Sequence, residues 1–152
     1  MFKHFDAVIA VSPNAAEVLE HPHKHVVLNG IALPVLDVNI VKHTPPVVLA
    51  VGRLVPVKGF DVLIKAWQGI DNAELWIVGD GPEFNNLNVL ITQLNMAEQI
   101  ILLGRKSREK VRDLLSQANV FVLSSQFETF GVVVIEALGM GLPVVATKCG
   151  GP

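Results

Sequence analysis

The chain is poor in charge and in cysteine, and it has no long apolar run. Charged residues make up 17% of its 152 residues, below the roughly 25% of an average soluble domain, while hydrophobic residues make up 51%. The net charge is -2 and the cations are scattered, so nothing indicates a nucleic-acid-binding surface. The single cysteine, Cys149, excludes an internal disulfide and leaves a metal site without support.

No apolar run reaches the ~18 residues of a membrane-spanning helix, and Asp6 interrupts the stretch where a signal peptide would have its apolar core. We therefore expect a cytoplasmic protein without a transmembrane segment, and peripheral membrane association of a longer parent stays open. No imidazole follows residue 43, because the five histidines are His4, His21, His23, His25 and His43. Histidine general-base catalysis is thus excluded from the larger part of the chain. The alternating positions 21, 23 and 25 are interpreted as a solvated loop rather than a metal clip.

Two common nucleotide-binding motifs are also missing. The segment 52–59 has neither the GxGxxG pattern of dinucleotide sites nor the Lys-Ser/Thr ending of a P-loop. The sequence therefore disfavours a dinucleotide-dependent enzyme and a P-loop NTPase.

What the chain does contain is a repeated alternation of strand and helix patterns. Short apolar runs start 28, 25, 20 and 23 residues apart, about one strand plus one crossover helix each time; they are Val47–Val51, Leu75–Val78, Ile100–Leu103, Val120–Leu123 and Pro143–Thr147. Stripes with helical spacing lie between them: Phe60 to Trp67, Leu87 to Leu94, and Val111 to Ala118 with Ser107 as N-cap. This pattern predicts an α/β fold, a Rossmann-like parallel sheet with helices on both faces.

Residues 1–43 are organised differently. Phe5–Val11 and His25–Leu28 are predicted strands, and Ser12-Pro13 between them is typical of a helix start. Two consecutive prolines make 44–46 a stiff linker, because proline continues neither a helix nor a strand ladder. We therefore expect a strand-helix-strand unit at 1–43, a linker at 44–46 and a main unit at 47–152.

The polar loops of the main unit all follow predicted strands. They are the loop with Arg53 and Lys58, the segment 79–82, the pair Arg105 and Lys106, and the segment 124–131. Because ligands of open parallel sheets sit beyond the carboxyl ends of the strands, these loops are expected to meet at one edge. One local signal disagrees, since residues 132–135 are β-branched and by propensity alone predict a strand where a site at Gly131 needs a helix.

The residue types in these loops suit a nucleotide sugar. Arg53 can fork onto phosphate oxygens and Lys58 supplies a point charge. Gly131 lets the backbone approach a phosphate at a helix N-terminus, where free N–H groups favour negative charge. Glu128 and Glu136 can accept hydrogen bonds from sugar hydroxyls.

In their order along the chain, these segments resemble the retaining GT-B glycosyltransferases of family 4, the "group 1" transferases. The matching segments are 51–59 (VGRLVPVKG), 76–82 (WIVGDGP), 103–105 (LGR), 128–136 (ETFGVVVIE) and 136–152. The resemblance implies that Arg53 and Lys58 bind the donor diphosphate and that Glu128 lies near the donor sugar. It also implies further donor contacts: Gly52, Phe130 and the phosphate-binding turn at Gly131, Glu136 on the ribose, and the backbone around Arg105 and Lys106 at the base.

The implied activity is transfer of a hexose from a nucleoside-diphosphate sugar, with retention of configuration, to an unknown saccharide, lipid or small-molecule acceptor. Arg53, Lys58 and Glu128 are the implied catalytic residues, and neither a metal nor another cofactor is expected. Residues 1–43 then correspond to a remnant of the N-terminal, acceptor-side half. Residues 47–152 correspond to the C-terminal, donor-binding half without its last strand-helix unit.

On this interpretation the chain is a fragment of a larger transferase, and its exposed edges are expected to promote self-association. Two alternatives stay open. The chain could act only as a nucleotide-binding module, or be inactive by itself. It could also belong to a non-transferase GT-B relative, such as a nucleotide-sugar epimerase.

Overall fold

The structure is a computed structural model that describes residues 4–31 and 42–151, which form two separate parallel sheets. The smaller sheet contains β1 (Val8–Ala10) and β2 (Lys24–Val26), joined by helix α1 (Pro13–Glu17). Both strands are shorter than predicted, because the ladder between them holds only three residue pairs. The predicted boundary at residue 1, the segment 32–41 and the end at residue 152 lie outside the described residues.

The larger sheet contains every strand predicted for the main unit. Its elements are β3 (Val47–Val51), α2 (Phe60–Ala66), β4 (Glu74–Val78), α3 (Phe84–Gln93), β5 (Ile100–Gly104), α4 (Arg108–Gln117), β6 (Val120–Leu123), α5 (Val132–Gly139) and β7 (Val144–Ala146). All neighbouring strands are parallel, so the predicted alternation of strands and crossover helices is confirmed. None of the helices in the described ranges is long and apolar enough to cross a bilayer.

The strand order of this sheet is β5-β4-β3-β6-β7. The chain therefore winds outward from β3 in one direction through β4 and β5, and then returns to place β6 on the other side of β3. The gap between the loops that follow β3 and β6 is the topological switch point, where open α/β sheets bind their ligands. Strand order thus identifies the place to search for a site before any side chain is considered.

Alternate residues of the strands enter two different cores. Val47 and Leu49 of β3 pack with Phe121 and with buried residues of α4 and α5, whereas Ala50 packs with residues of α2 and α3 on the opposite face. Such a sheet, buried on both faces, explains the high apolar content of the strands. It confirms the predicted Rossmann-like arrangement with helices on both sides.

The helix starts follow the signals in the sequence. Ser12 caps α1 by accepting from the N–H of Ala15 at 3.1 Å, and Ser107 caps α4 by accepting from the N–H of Lys110 at 3.3 Å. The β-branched run at 132–135, in contrast, is helical. Burial of Val134 and Ala137 against the sheet overrides the weak strand preference of this segment.

The segment at 42–46 is fixed to the larger sheet. Lys42 donates to the carbonyls of Ser116 and Ala118 at 3.0 and 2.7 Å. His43 packs edge-on against Trp76, with ring centroids 4.9 Å apart. These contacts tie the chain to one side of the main unit just before β3 begins.

Candidate functional site

The loops after β3 and β6 touch each other at the switch point. The first loop contains a short 3-10 helix, Pro56–Lys58, which ends at Gly59 in the left-handed conformation (φ 62°). A side chain at Gly59 would place its Cβ 2.4 Å from the carbonyl oxygen of Ser124. Glycine at this position therefore lets the loop carrying Lys58 lie directly against the end of β6.

Lys58 and Glu128 form an ion pair across this contact, from Nζ to Oε2. The pair is largely withdrawn from water, since the two side chains are 23% and 14% exposed. The backbone N–H of Glu128 donates to the carbonyl of Cys149 at 3.0 Å, which fixes its main chain from the side of β7. The sequence placed both residues at this edge, and the structure brings them into contact.

Gly131 begins helix α5 in the left-handed conformation (φ 73°) and has no side chain to cap the helix. The first N–H groups of a helix have no intrahelical acceptor, and its N-terminus carries partial positive charge. Gly131 is buried, and it lies with Phe130 beside the ion pair. The turn can therefore present backbone donors to an anion at the same place as the cation of Lys58.

A cavity of about 250 Å³ joins these groups. Its lining includes six of the predicted site residues, namely Gly52, Arg53, Lys58, Glu128, Phe130 and Gly131. A complete small-molecule site occupies roughly 300–1,000 Å³, so this cavity suits part of a nucleotide sugar rather than the whole. The predicted convergence of cations, carboxylate and helix start is thus present in one cavity.

A second cavity, of about 380 Å³, shares a lining residue with the first. Arg53 lines both cavities, and the second is otherwise lined by Asp80, Gly81 and Arg105. Arg53 and Arg105 are exposed, so both guanidinium groups are accessible to a ligand. Lys106 is exposed as well but lines neither of these cavities.

Glu136 lies apart from this group. Its Oε1 atom is 3.0 Å from a guanidinium nitrogen of Arg108 at the start of α4, and its side chain is 13% exposed. It does not line the cavity of about 250 Å³. A contact between Glu136 and a bound ribose therefore stays a prediction, and in the structure its partner is Arg108.

The sequence interpretation missed two kinds of contributor. Val11 and Asn29 of the smaller unit line the first cavity, and neither is among the predicted site residues. Arg108 contacts Glu136 between helices α4 and α5, and Ser124, within the predicted polar loop 124–131, contacts the Lys58 carbonyl. No motif signalled either contact, because each joins segments far apart in sequence.

Within residues 4–31 and 42–151, no three His, Cys, Asp or Glu side chains are grouped so that they could hold a metal ion. His21 instead accepts from the N–H of His23 at 3.1 Å, and its Nε2 lies 2.9 Å from the carbonyl of Phe5. Its ring therefore orders the turn before β2, where a larger cavity of about 680 Å³ is lined by two carboxylates, of Asp6 and Glu20, and by no lysine or arginine.

Known proteins resemble this chain in sequence and in fold. The family model described as "Glycosyl transferases group 1" matches residues 36–152, more than half of the chain. The lipopolysaccharide core biosynthesis glycosyltransferase LpsE of Rhizobium meliloti is 39% identical over 107 residues, which cover 70% of this chain and 31% of LpsE.

Two solved structures have the same fold. TarM of S. aureus superposes with a TM-score of 0.85 at 22% identity, covering 96% of this chain and 31% of TarM. HepE of Anabaena, in complex with UDP and glucose, superposes with a TM-score of 0.79 at 28% identity, covering 95% of this chain and 45% of HepE. The chain thus spans less than half the length of each of these proteins. It belongs to the family of glycosyl transferases group 1, with the Rossmann-like fold of GT-B glycosyltransferases.

Proposed function

We propose that this chain is the donor-binding part of a glycosyltransferase that moves a hexose from a nucleoside-diphosphate sugar to an acceptor with retention of configuration. The observation that carries the proposal is the single cavity lined by Arg53, Lys58, Glu128 and the Gly131 turn. Lys58 contacts the Glu128 carboxylate there, and Arg53 and the start of α5 line the same cavity. This combination fits a diphosphate joined to a sugar.

In the proposed reaction, the chain's residues stabilise the leaving nucleoside diphosphate. Arg53 and Lys58 take the negative charge that develops on the phosphate oxygens, and the N–H groups at the start of α5 add backbone donors. Each such preorganised donor is worth roughly 3–4 kcal/mol in comparable sites. Glu128 accepts from hydroxyl groups of the donor sugar, and Lys58 holds its carboxylate in place until the donor arrives.

The second cavity is proposed to receive the base and the ribose. Arg53, which lines both cavities, then binds the phosphates between the two compartments. Glu136 is proposed to release Arg108 when the donor binds and then to accept hydrogen bonds from the ribose hydroxyls. No metal is assigned to the donor site, because the phosphate charge has the guanidinium, the ammonium and the helix start as partners.

The donor class is supported by HepE, whose solved complexes contain UDP with glucose and UDP-glucose. The acceptor of this chain's parent is proposed to be a saccharide or lipid, as the name of the relative LpsE suggests. Membership of a glycosyltransferase family does not favour the epimerase alternative. Self-association through the edge strand β7, on which Val145 is 61% exposed, remains a prediction that light scattering can test.

Calorimetric titration of the chain with UDP, GDP and ADP tests donor binding. We expect one diphosphate to bind with 1:1 stoichiometry, and the Lys58→Met variant to bind it at least about tenfold more weakly, the effect of losing a charged hydrogen bond. Lys65→Met is the matched control, because Lys65 pairs with Asp61 on the outside of α2. If none of the three nucleotides binds, donor binding by this chain is disproved.

Transfer and stereochemistry require the longer protein. Incubation with UDP-glucose and a panel of saccharide and lipid acceptors should yield an α-linked product, whose anomeric configuration is read by NMR. A β-linked product would contradict retention while leaving sugar transfer intact. Conversion of the nucleotide sugar without any acceptor would favour the epimerase instead.

A further inference from the structure

Ser124 makes a hydrogen bond that no motif in the sequence signals. It follows β6 directly, and its Oγ donates to the carbonyl oxygen of Lys58 at 2.8 Å. The donor and acceptor are 66 residues apart in sequence and both are part-buried. The bond therefore joins the two loops of the switch point at the residue whose ammonium forms the ion pair with Glu128.

Other contacts also bring the same two loops together, and the backbone of Lys58 has a further bond within its own loop. The N–H of Gln126 donates to the carbonyl of Val57 at 2.8 Å, and Gly59 packs against the carbonyl of Ser124. Within the 3-10 helix, the N–H of Lys58 donates to Val55 at 3.0 Å. The N–H of Gly59, in the same peptide group as the Lys58 carbonyl, also donates within this turn, to Pro56 at 3.0 Å. The Ser124 hydroxyl adds a bond that ties this peptide group to the opposite loop.

We propose that Ser124 is a positioning residue: its hydroxyl fixes the Lys58 carbonyl and thereby aims the ammonium group at Glu128 and at the donor diphosphate. A lysine side chain has four rotatable bonds and loses much conformational freedom when it is held in one place. Fixing the Lys58 backbone reduces the range of positions that the ammonium group can reach. The part of this inference that concerns the diphosphate rests on the proposed function, and the part that concerns the ion pair does not.

The test compares Ser124→Ala with Ser116→Ala. Ser116 is a matched control, because its Oγ also donates to a backbone carbonyl, that of Asp113, at 2.7 Å, but near the end of α4. The first readout is the rate at which an acetylating reagent modifies Lys58, followed by mass spectrometry and normalised to Lys65. We expect Ser124→Ala to raise this ratio about three- to tenfold, the range that one hydrogen bond controls, and Ser116→Ala to leave it unchanged.

The second readout is a double-mutant cycle on UDP affinity. Ser124→Ala should weaken UDP binding about three- to tenfold when Lys58 is present, and by less than about twofold in the Lys58→Met background. Ser124→Thr, which keeps the hydroxyl, should restore both readouts. A general destabilisation of the fold would give the same loss in both backgrounds, and circular dichroism melting curves of each variant show whether the fold is intact.

Donor binding by the chain and the positioning of Lys58 by Ser124 can be disproved independently. If the wild-type chain binds no UDP, the donor-binding proposal falls, and the acetylation ratio still decides whether Ser124 positions Lys58. If the acetylation ratio is the same in Ser124→Ala as in wild type, or if the loss of affinity persists without Lys58, the positioning role is overturned. Should Ser124→Ala not fold, Ser124→Cys, which keeps the size but only a weak donor, decides instead: a raised ratio supports the role, and a wild-type ratio contradicts it.

Discussion

The carboxylates of two ion pairs flank the Phe130–Gly131 turn in sequence, and the pairs are built differently. Lys58 and Glu128 are 23% and 14% exposed, whereas Arg108 and Glu136 are 61% and 13% exposed. The carboxylates are equally withdrawn from water, so the difference lies in the cations. The Lys58 side chain is mostly buried, whereas the Arg108 side chain is mostly exposed to water.

The surroundings of the two pairs differ in the same way. Around Lys58 and Glu128 the backbone is fixed on both sides: the Ser124 hydroxyl donates to the Lys58 carbonyl, the Gln126 N–H donates to the Val57 carbonyl, and the Glu128 N–H donates to the Cys149 carbonyl. Between Arg108 and Glu136, the described residues show one hydrogen bond between the two side chains. Withdrawing a cation from water costs free energy, and a hydrophobic pair is often more stable. On the proposed function, binding of the donor rather than stability accounts for this pair.

Removal of each cation should give the largest contrast. Lys58→Met leaves the Glu128 carboxylate part-buried and without its partner, and we expect it to lower the free energy of unfolding by about 2 kcal/mol. Arg108→Met removes a cation that water already screens, so its cost should stay below about 1 kcal/mol. Urea unfolding followed by circular dichroism measures both, and equal losses would remove the distinction between the pairs.

A further variant tests why Lys58→Met is destabilising. In Lys58→Met/Glu128→Gln the unpaired charge is gone, so about half or more of the lost stability should return, since an uncompensated carboxylate is the main cost. Donor affinity should not return with it. Recovery of UDP binding along with stability would mean that the pair serves the fold and not the ligand.

The second pair should matter for the nucleoside rather than for the phosphates. If Glu136 binds ribose, Glu136→Gln weakens UDP binding about tenfold, the effect of one charged hydrogen bond. The same variant should bind pyrophosphate, which has no ribose, as well as the wild type does. Lys58→Met should weaken the binding of both UDP and pyrophosphate. Calorimetry with each ligand measures this difference between the two variants. A loss of pyrophosphate affinity in Glu136→Gln would assign Glu136 to the phosphates instead.

The turn between the pairs can be tested with two glycines of the same conformation. Gly131 has φ 73° at the start of α5, and Gly141 has φ 72° in open space after the same helix. Alanine at either position should cost about 1 kcal/mol, because a Cβ strains the left-handed conformation. Only Gly131→Ala should also weaken UDP binding, as Gly131 lines the cavity where the phosphate is proposed to lie. Comparable UDP affinities for the two variants would exclude that location.

How far the sequence predicted the molecule also differs between the two pairs. The strands of the larger sheet were predictable because runs such as Val47–Val51 are buried on both faces and read as continuous apolar segments. Lys58 and Glu128 were predictable as neighbours because both follow strands whose carboxyl ends share one edge. The helix at 132–135 could be expected only from the need for a phosphate-binding turn, against the local propensity.

The contacts that could not be predicted depend on how segments far apart in sequence are placed relative to each other. The pairing of Glu136 with Arg108 requires the separation and tilt of α4 and α5, and neither is encoded by a local pattern. The contribution of Asn29 to the cavity depends on how the smaller unit lies against the larger one. The bond from Ser124 to Lys58 depends on how the loops after β3 and β6 lie relative to each other at the end of the sheet.

The smallest expected effect belongs to the exposed side of the comparison, where Glu109 follows Arg108 at the start of α4. A hydrogen bond from its own backbone N–H, and then one from the Ser107 hydroxyl, lower the pKa of the Glu109 carboxyl below its ordinary value. A carboxyl whose pKa is lower in the folded state stabilises the fold above its unfolded-state pKa. This contribution is lost as the pH falls through the folded-state pKa.

Glu109→Gln should therefore be slightly less stable than the wild type at pH 7, and the difference should disappear at a pH below the folded-state pKa. Urea unfolding at a series of pH values measures it, and Ser107→Ala, which removes one of the two bonds, should shrink the difference at neutral pH. Because Glu109 is fully exposed, the effect should be far smaller than that of Lys58→Met. If the wild type instead gained stability relative to Glu109→Gln as the pH falls, the pKa of Glu109 would be raised by folding. The start of α4 would then favour the protonated carboxyl.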